Sequence, residues 1–291
     1  MEVMGSRVES RRSVKVSLPH PGHRMSNLLQ KGRRLFSWAT EFERLIVSSA
    51  SGAVVEDVDG NRFLDFSEAV STVGHCNPEV VRAVEKQVRK YIHGPGYDEC
   101  FIDLAEALKD ILPMNRDQSR IAYCVSGTQA CDEAMIVART QKKRPIVLAY
   151  SDAFHGYTSS TAGITSDARR ELQIPIHDTA YLPYPNCYRC PYGQQFPECG
   201  LFCLNSLRDV FETVTPPESV AALFFEPIQS HGGVIYPPEG YLEAVQRICR
   251  ENGILLVDDE VYMGFGKTAR FFAVEHWNVT PDFICMGKAM G

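Results

Sequence analysis

The residue types best suited to chemistry fall just after short apolar runs. Phe283–Met286 delivers Gly287-Lys288, and a lysine at the mouth of an apolar site can lose its proton through burial and attack carbonyl carbon. Ile254–Val257 delivers Asp258-Asp259-Glu260. A carboxylate at the end of a buried strand must find a partner, because desolvating it unpaired is costly, and a cationic ring nitrogen is one such partner. Ile121–Val125 delivers Ser126-Gly127-Thr128 ahead of a helical stretch, Ala130–Arg139. Small hydroxyl residues around a glycine at a helix start offer backbone N–H groups and the positive end of the dipole to an anion, and they also serve as a plain cap. Ile146–Ala149 is followed by Phe154-His155-Gly156, where a flat ligand could stack, although a surface turn has the same composition. Ala221–Phe225 delivers Glu226-Pro227-Ile228-Gln229.

A separate group is Cys187-x2-Cys190-x8-Cys199-x3-Cys203, in a stretch rich in Tyr, Pro and Gly. Four thiols at such spacings suit a tetrahedral Zn²⁺ or an iron–sulfur cluster, with free or oxidised thiols as the alternative. Cys76, Cys100, Cys124, Cys131, Cys249 and Cys285 read as small core residues.

These groups need strands and helices to position them. From about Ile121 onward, β-branched runs alternate with helical segments, among them Tyr241–Arg250 closed by Gly253. That alternation predicts an α/β fold, a three-layer sandwich with a mostly parallel central sheet, and such sheets place ligands at the carboxyl ends of their strands. Upstream, Ala53–Val58 and Arg62–Phe66 flank Asp59-Gly60-Asn61, which predicts a β-hairpin. Asn77-Pro78 opens a helix carrying Val80, Val81, Val84 and Val88, and Phe101–Leu112 is a second helical stretch.

The 291 residues have room for about two domains. With 44% hydrophobic and 23% charged residues, the composition is that of a globular protein, not a disordered or fibrous one. The net charge of −6 is a poor footprint for nucleic acid, and no apolar stretch approaches the ~20 residues needed to cross a membrane. Residues 1–34 hold eight basic residues, among them Arg7, Arg11 and Arg12, against Glu2 and Glu9. They read as a flexible or interface-packing arm, with an organelle transit peptide as the alternative. Ten cysteines without a secretory leader point to thiols in a reducing, cytoplasmic compartment.

Phosphate loop, stacking aromatic, buried aspartate and lysine, in that order, make up the parts of a pyridoxal-phosphate site. Val257-Asp258-Asp259-Glu260-Val261, Gly264-Phe265-Gly266-Lys267-Thr268, Phe272-Ala273-Val274-Glu275-His276, Pro281-Asp282 and Gly287-Lys288-Ala289 closely resemble the signature of class III aminotransferases. The resemblance runs over about residues 53–291. It implies the pyridoxal-phosphate transferase fold of type I, with Lys288 as the Schiff-base lysine and proton shuttle and Asp259 as the partner of the pyridine nitrogen. It further implies that Phe154 and Val261 cover the two ring faces, that Ser126, Gly127 and Thr128 cradle the phosphate, and that Glu226 and Gln229 line the site. His155 reads as a structural hydrogen-bonding residue beside the cofactor, not a general base.

Three positions depart from the family pattern. Tyr262 stands where many members have a glutamine for the cofactor's phenolic oxygen, His231 where ornithine- and aminobutyrate-type members have a glutamate, and Tyr157 where acetylornithine-type members have an arginine. Pro227-Ile228-Gln229-Ser230 and Glu275-His276-Trp277 look most like 4-aminobutyrate-type members. The resemblance thus implies an amino donor of the ω-amino acid class, a 2-oxo acid acceptor and a homodimer. An amino-acid racemase or aminomutase on the same scaffold is the alternative, and a non-catalytic truncated relative is another. The expected organisation is an arm over 1–52, the first part of a small domain over 53–95, and a cofactor-binding large domain over 96–291. That large domain is expected to be incomplete, and the chain to lack the C-terminal small domain.

Overall fold

The computed structural model describes residues 14–17, 19–36, 45–66, 72–92, 94, 96–166 and 178–290. Arg7, Arg11, Arg12, Glu2 and Glu9 of the basic segment lie outside the described residues. The chain divides into two compact units, residues 1–96 and 97–291.

In the first unit, helix α1 (His23–Leu35) buries Met25, Leu29 and Gly32, and a three-stranded sheet is ordered β1 (Val47–Ser51), β2 (Val54–Asp57), β3 (Arg62–Leu64). Both pairings are antiparallel, so β2 and β3 are the expected hairpin. Its turn winds around the buried carboxylate of Asp57, which accepts from the Asp59 and Asn61 backbone N–H groups at 2.9 and 2.8 Å. Helix α1 and strand β1 both fall inside the 1–52 segment. The i, i+4 spacing of Met25 and Leu29 is a helical signal, whereas Val47-Ser48-Ser49-Ala50-Ser51 has almost no apolar alternation and becomes a strand by pairing with β2. Helix α2 (Pro78–Lys90) begins as expected, with Asn77 Oδ1 accepting from the N–H groups of Glu79 and Val80. Its Val80, Val81, Val84 and Val88 are exposed in this unit.

The second unit is built on a five-stranded, wholly parallel sheet in the order β5-β4-β6-β7-β8, from β4 (Ile146–Tyr150), β5 (Thr179–Leu182), β6 (Val220–Phe225), β7 (Leu255–Asp259) and β8 (Phe283–Cys285). Every residue of β6 is buried, as a strand covered on both faces requires. On one face Ala222, Phe224 and Val257 pack with Cys131, Ala134, Met135 and Ala138 of α4 (Gly127–Lys142). On the other, Leu223, Phe225 and Leu256 pack with Leu207 and Val210 of α5 (Asn205–Thr213) and Leu242 and Val245 of α6 (Tyr241–Glu251). This is the expected three-layer α/β architecture. Helix α6 stops where Gly253 turns left-handed (φ +65°) and Ile254 N–H returns to Cys249 O, a conformation in which a Cβ is penalised.

Two expectations change. Ile121–Val125 is not a strand. It is separated from β8 by a groove of about 690 Å³, lined by Ile121, Ala122 and Cys124 on one side and Phe283, Ile284 and Cys285 on the other. With no neighbouring strand among the described residues, it is anchored to helices instead. Val125 N–H donates to Gln129 Oε1 at 2.8 Å, and Tyr123 OH bonds to the Phe101 carbonyl, on helix α3 (Glu99–Ile111). Conversely, β5 and α5 are present without a strong signal, since Thr179-Ala180-Tyr181-Leu182 is too short and mixed to stand out from a loop.

Candidate active site

The strand order reverses between β4 and β6: the chain leaves β4 for β5 on one side and returns to β6 on the other. Parallel sheets open a crevice at the carboxyl ends around such a reversal, and the chemistry-bearing residues of β4, β6, β7 and β8 emerge at this end.

Asp259 is the last residue of β7 and only 4% exposed. Its Oδ2 lies 2.7 Å from His155 Nδ1 and 3.4 Å from Cys131 Sγ, and its Oδ1 accepts from Val261 N–H at 3.0 Å. His155 is buried, with its backbone N–H held by Thr165 Oγ1 at 2.9 Å and its ring edge-on to Phe224. Burial alone pushes the imidazole pKa down. The hydrogen bond and charge of Asp259, with the charge of Glu226, outweigh it and leave His155 above its ordinary value. The pair is therefore a buried, charge-assisted hydrogen bond that fixes where the Asp259 carboxylate points.

Glu226, just beyond β6, is the hub of the second strand end. Oε1 accepts from Phe154 N–H at 3.1 Å, and Oε2 accepts from the N–H and hydroxyl of Ser230 at 2.9 and 2.6 Å. Burial pushes its pKa up, with the neighbouring Asp259 adding to it, against the opposing pull of His155 and Ser230. Glu226 thus holds the Phe154 loop and the Ser230-His231 turn together. Phe154 stacks on His231 at 5.3 Å between centroids and meets Tyr157 edge-on at 5.1 Å. Gln229 donates through Nε2 to Ser151 O at 2.7 Å, tying the ends of β6 and β4.

Around the start of α4, Ser126 Oγ accepts from Gln129 N–H at 3.2 Å and so acts as the cap. The N–H groups of Gly127 and Thr128 have no intrahelical partner by the geometry of a helix start. Gly127 sits so close to Val261 that a Cβ there would fall 2.6 Å from Val261 Cγ1, and one on Gly156 would collide with Thr128. Gly287 approaches both Val261 and Gly127, at 3.4 and 3.5 Å from its would-be Cβ. These contacts bring the helix start, the strand end bearing Asp259 and the segment leading into Lys288 to one place. Lys288 has φ +45°, a backbone conformation uncommon for a residue with a side chain. Its Nζ lies 5.3 Å from the Tyr262 ring centroid, with Lys267 Nζ 4.7 Å from the same ring.

Residue patterns did not single out Thr165, Ser230 or Cys131 as partners of the site, nor the fate of the two acids flanking Asp259. Asp258 is fully buried and neither carboxyl oxygen has a hydrogen bond; burial, with repulsion from Glu260 and Asp259, pushes it well above the carboxylate range. Glu260 Oε1 accepts from Val274 N–H at 2.8 Å, and burial pushes Glu260 up to about 7. The run Asp258-Asp259-Glu260 was the available signal: alternation sends Asp258 to the face opposite Asp259.

Cys187, Cys190, Cys199 and Cys203 lie outside this crevice but line one small cavity together. Among the described residues, the group of three or more ligand-type atoms lying within 4.8 Å of one another is Cys131, His155 and Asp259, so no three of the loop sulfurs lie that close together. No disulfide forms among the described cysteines. No helix of the described residues is long and apolar enough to cross a membrane.

The chain is 37% identical over 277 residues to a leucine/methionine racemase of Thermococcus litoralis, covering 92% of this chain and 62% of that protein. It is 35% identical over 256 residues to a probable 4-aminobutyrate aminotransferase of Bacillus subtilis, covering 85% and 58%. Among solved structures, a Bacillus anthracis aminotransferase superposes with a TM-score of 0.80 at 28% identity, covering 92% of this chain and 62% of that one. The chain thus spans about three-fifths of the length of these relatives. With the family Aminotransferase class-III matching residues 37–291, the fold and the strand-end constellation have their explanation: the chain belongs to the class III aminotransferases.

Proposed function

We propose that this chain carries the cofactor-binding part of a pyridoxal-phosphate enzyme that moves an amino group from an ω-amino acid or related amine, of 4-aminobutyrate type, to a 2-oxo acid. The observation that carries the reading is the buried Asp259 carboxylate, oriented by His155 at the sheet end where Gly287-Lys288 emerges. The residues fit the cofactor. Asp259 matches a protonated ring nitrogen, the N–H groups at Gly127 and Thr128 match a phosphate, and the absence of a Cβ at Gly127 is what lets the helix start approach Val261.

When bound, pyridoxal phosphate would supply an electron sink for a carbanion at the substrate's amine-bearing carbon. The protein's own work is then divided among named groups. Asp259 would hold the protonated ring nitrogen, with the hydrogen bond from His155 keeping its carboxylate aimed. Phe154 and Val261 would confine its ring, with Tyr262 as a further hydroxyl-bearing side chain near Lys288. Lys288 would offer a primary amine, as the group that holds the cofactor's carbonyl carbon and as the base that takes and returns the proton on the substrate's amine-bearing carbon. Glu226 orders the wall that carries Phe154 and His231.

Borohydride reduction of cofactor-loaded protein, followed by peptide mapping, tests the site: a phosphopyridoxyl adduct on Lys288 is expected. Soluble, cofactor-treated protein without that adduct would make this chain a non-catalytic relative. A second reading, amino-acid racemisation, draws on the 37% identity to the Thermococcus racemase and uses Lys288 in the same way. Product analysis without a keto-acid acceptor separates the two, since racemisation proceeds and net transamination stalls. The proposal includes a homodimer, checked by the mass of the loaded protein in solution.

A further inference from the structure

The sixteen-residue spacing from Cys187 to Cys203 fills the connection between β5 and the 3₁₀ turn Phe202–Leu204 with turns alone. Such a length without helix or strand is uncommon inside a compact unit unless something organises it. Local hydrogen bonds close single turns, Gly193 N–H to Cys190 O at 3.1 Å and Cys199 N–H to Gln195 O at 2.8 Å, and Tyr192 meets Phe202 edge-on. None of these joins the two ends of the loop. The four cysteines do converge: all line one cavity, together with Tyr192, Phe196 and Pro238, holding about 20 Å³ of free space. That is room for one water-sized occupant.

We propose that Cys187, Cys190, Cys199 and Cys203 form a structural Zn²⁺ site that staples this loop. The donor set is four thiols, the soft closed set of structural zinc sites. The free space is on the scale of a single ion. Binding replaces four S–H bonds with four Zn–S bonds and releases four protons, leaving a site of net charge −2 with the Arg189 guanidinium in the same loop. Zn–S bonds of about 2.3 Å set the sulfurs about 3.8 Å apart, so the ion must draw the four inward from their present spacing.

The location gives the staple a purpose. Asn186, Cys187, Tyr188 and Arg189 share a second cavity with Gly232–Tyr236, the segment that continues from His231. A rigid cysteine loop would therefore brace the wall on which His231 and Phe154 stack.

The test is metal analysis of the 291-residue chain purified from zinc-supplemented medium without chelators. About one zinc per chain is expected, with Cys190→Ser and Cys199→Ser each losing it and Cys124→Ser retaining it. Because serine variants can misfold, the unaltered chain is also stripped and reloaded with Co²⁺. An intense thiolate-to-metal charge-transfer band with the visible bands of tetrahedral Co²⁺ is expected. Background zinc together with no charge-transfer band overturns the proposal. So does iron with acid-labile sulfide, which would mark a cluster, or a disulfide within the four cysteines. Each readout is independent of pyridoxal phosphate and of turnover, so the site can stand or fall apart from the proposed enzyme.

Discussion

The two walls of the candidate site are held in opposite ways. The wall made by the ends of β4, β6 and β7 is buried and interlocked: His155, Glu226 and Asp259 are 2%, 3% and 4% exposed and bond to one another's loops across more than seventy residues of chain. The wall made by Val125, the start of α4 and Lys288 is open. Val125 is 95% exposed, and its backbone leans on a single side chain. The first wall is preorganised, because its charges sit in a low-dielectric setting where paired groups hold each other firmly. The second offers backbone N–H groups and an amine, whose partners under the proposed function come from the bound cofactor.

The largest effect should come from the open wall. Lys288→Ala is expected to abolish the borohydride-trapped adduct while leaving the urea midpoint nearly unchanged; an adduct that persists on another lysine would remove Lys288 from its role. The interlocked wall should answer in stability instead. Phe224→Ala, beneath His155, should cost about 3–5 kcal/mol by chemical denaturation, against less than about 0.5 kcal/mol for Val125→Ala. Equal losses would erase the contrast between the walls.

Next in size is a pH effect. Glu260 titrates at about 7 in the folded protein, above its value in an unfolded chain, so the folded state binds this proton more tightly. The resulting stability is fully present below about pH 4.5 and is lost as pH rises through 7, a change of roughly 3 kcal/mol. Asp258 and His155 are shifted in the same direction. The urea midpoint should therefore fall between pH 5 and 8, less steeply in Glu260→Gln; an unaltered slope in that variant would place the protonation elsewhere. Smallest is the cap: Ser126→Ala should cost about 1 kcal/mol, read from the same titrations.

The same contrast explains what could be read from sequence. Strands buried on both faces announce themselves as unbroken apolar runs, and Ile146–Tyr150, Val220–Phe225 and Leu255–Asp259 formed close to where those runs lie. Ile121–Val125 has the same composition but no partner strand among the described residues, and strandedness is a property of pairs. β5 failed to announce itself for the converse reason: its partner β4, more than its own residues, makes it a strand. In the site, residues that follow an apolar run were legible because the fold class fixes where strand ends go. Glu226 as a clamp on Phe154 and Ser230, and Thr165 as the support of His155, depend on loops meeting in space and leave no spacing to read.

Lys288 carries one further consequence. Its left-handed backbone costs a residue with a Cβ about 1–2 kcal/mol, and glycine alone relieves it. Selection for stability by itself would favour Lys288→Gly, and selection for the proposed chemistry would refuse it. The position is thus a built-in conflict between the two, and a library scored separately for each property should rank glycine near the top of one scale and at the bottom of the other.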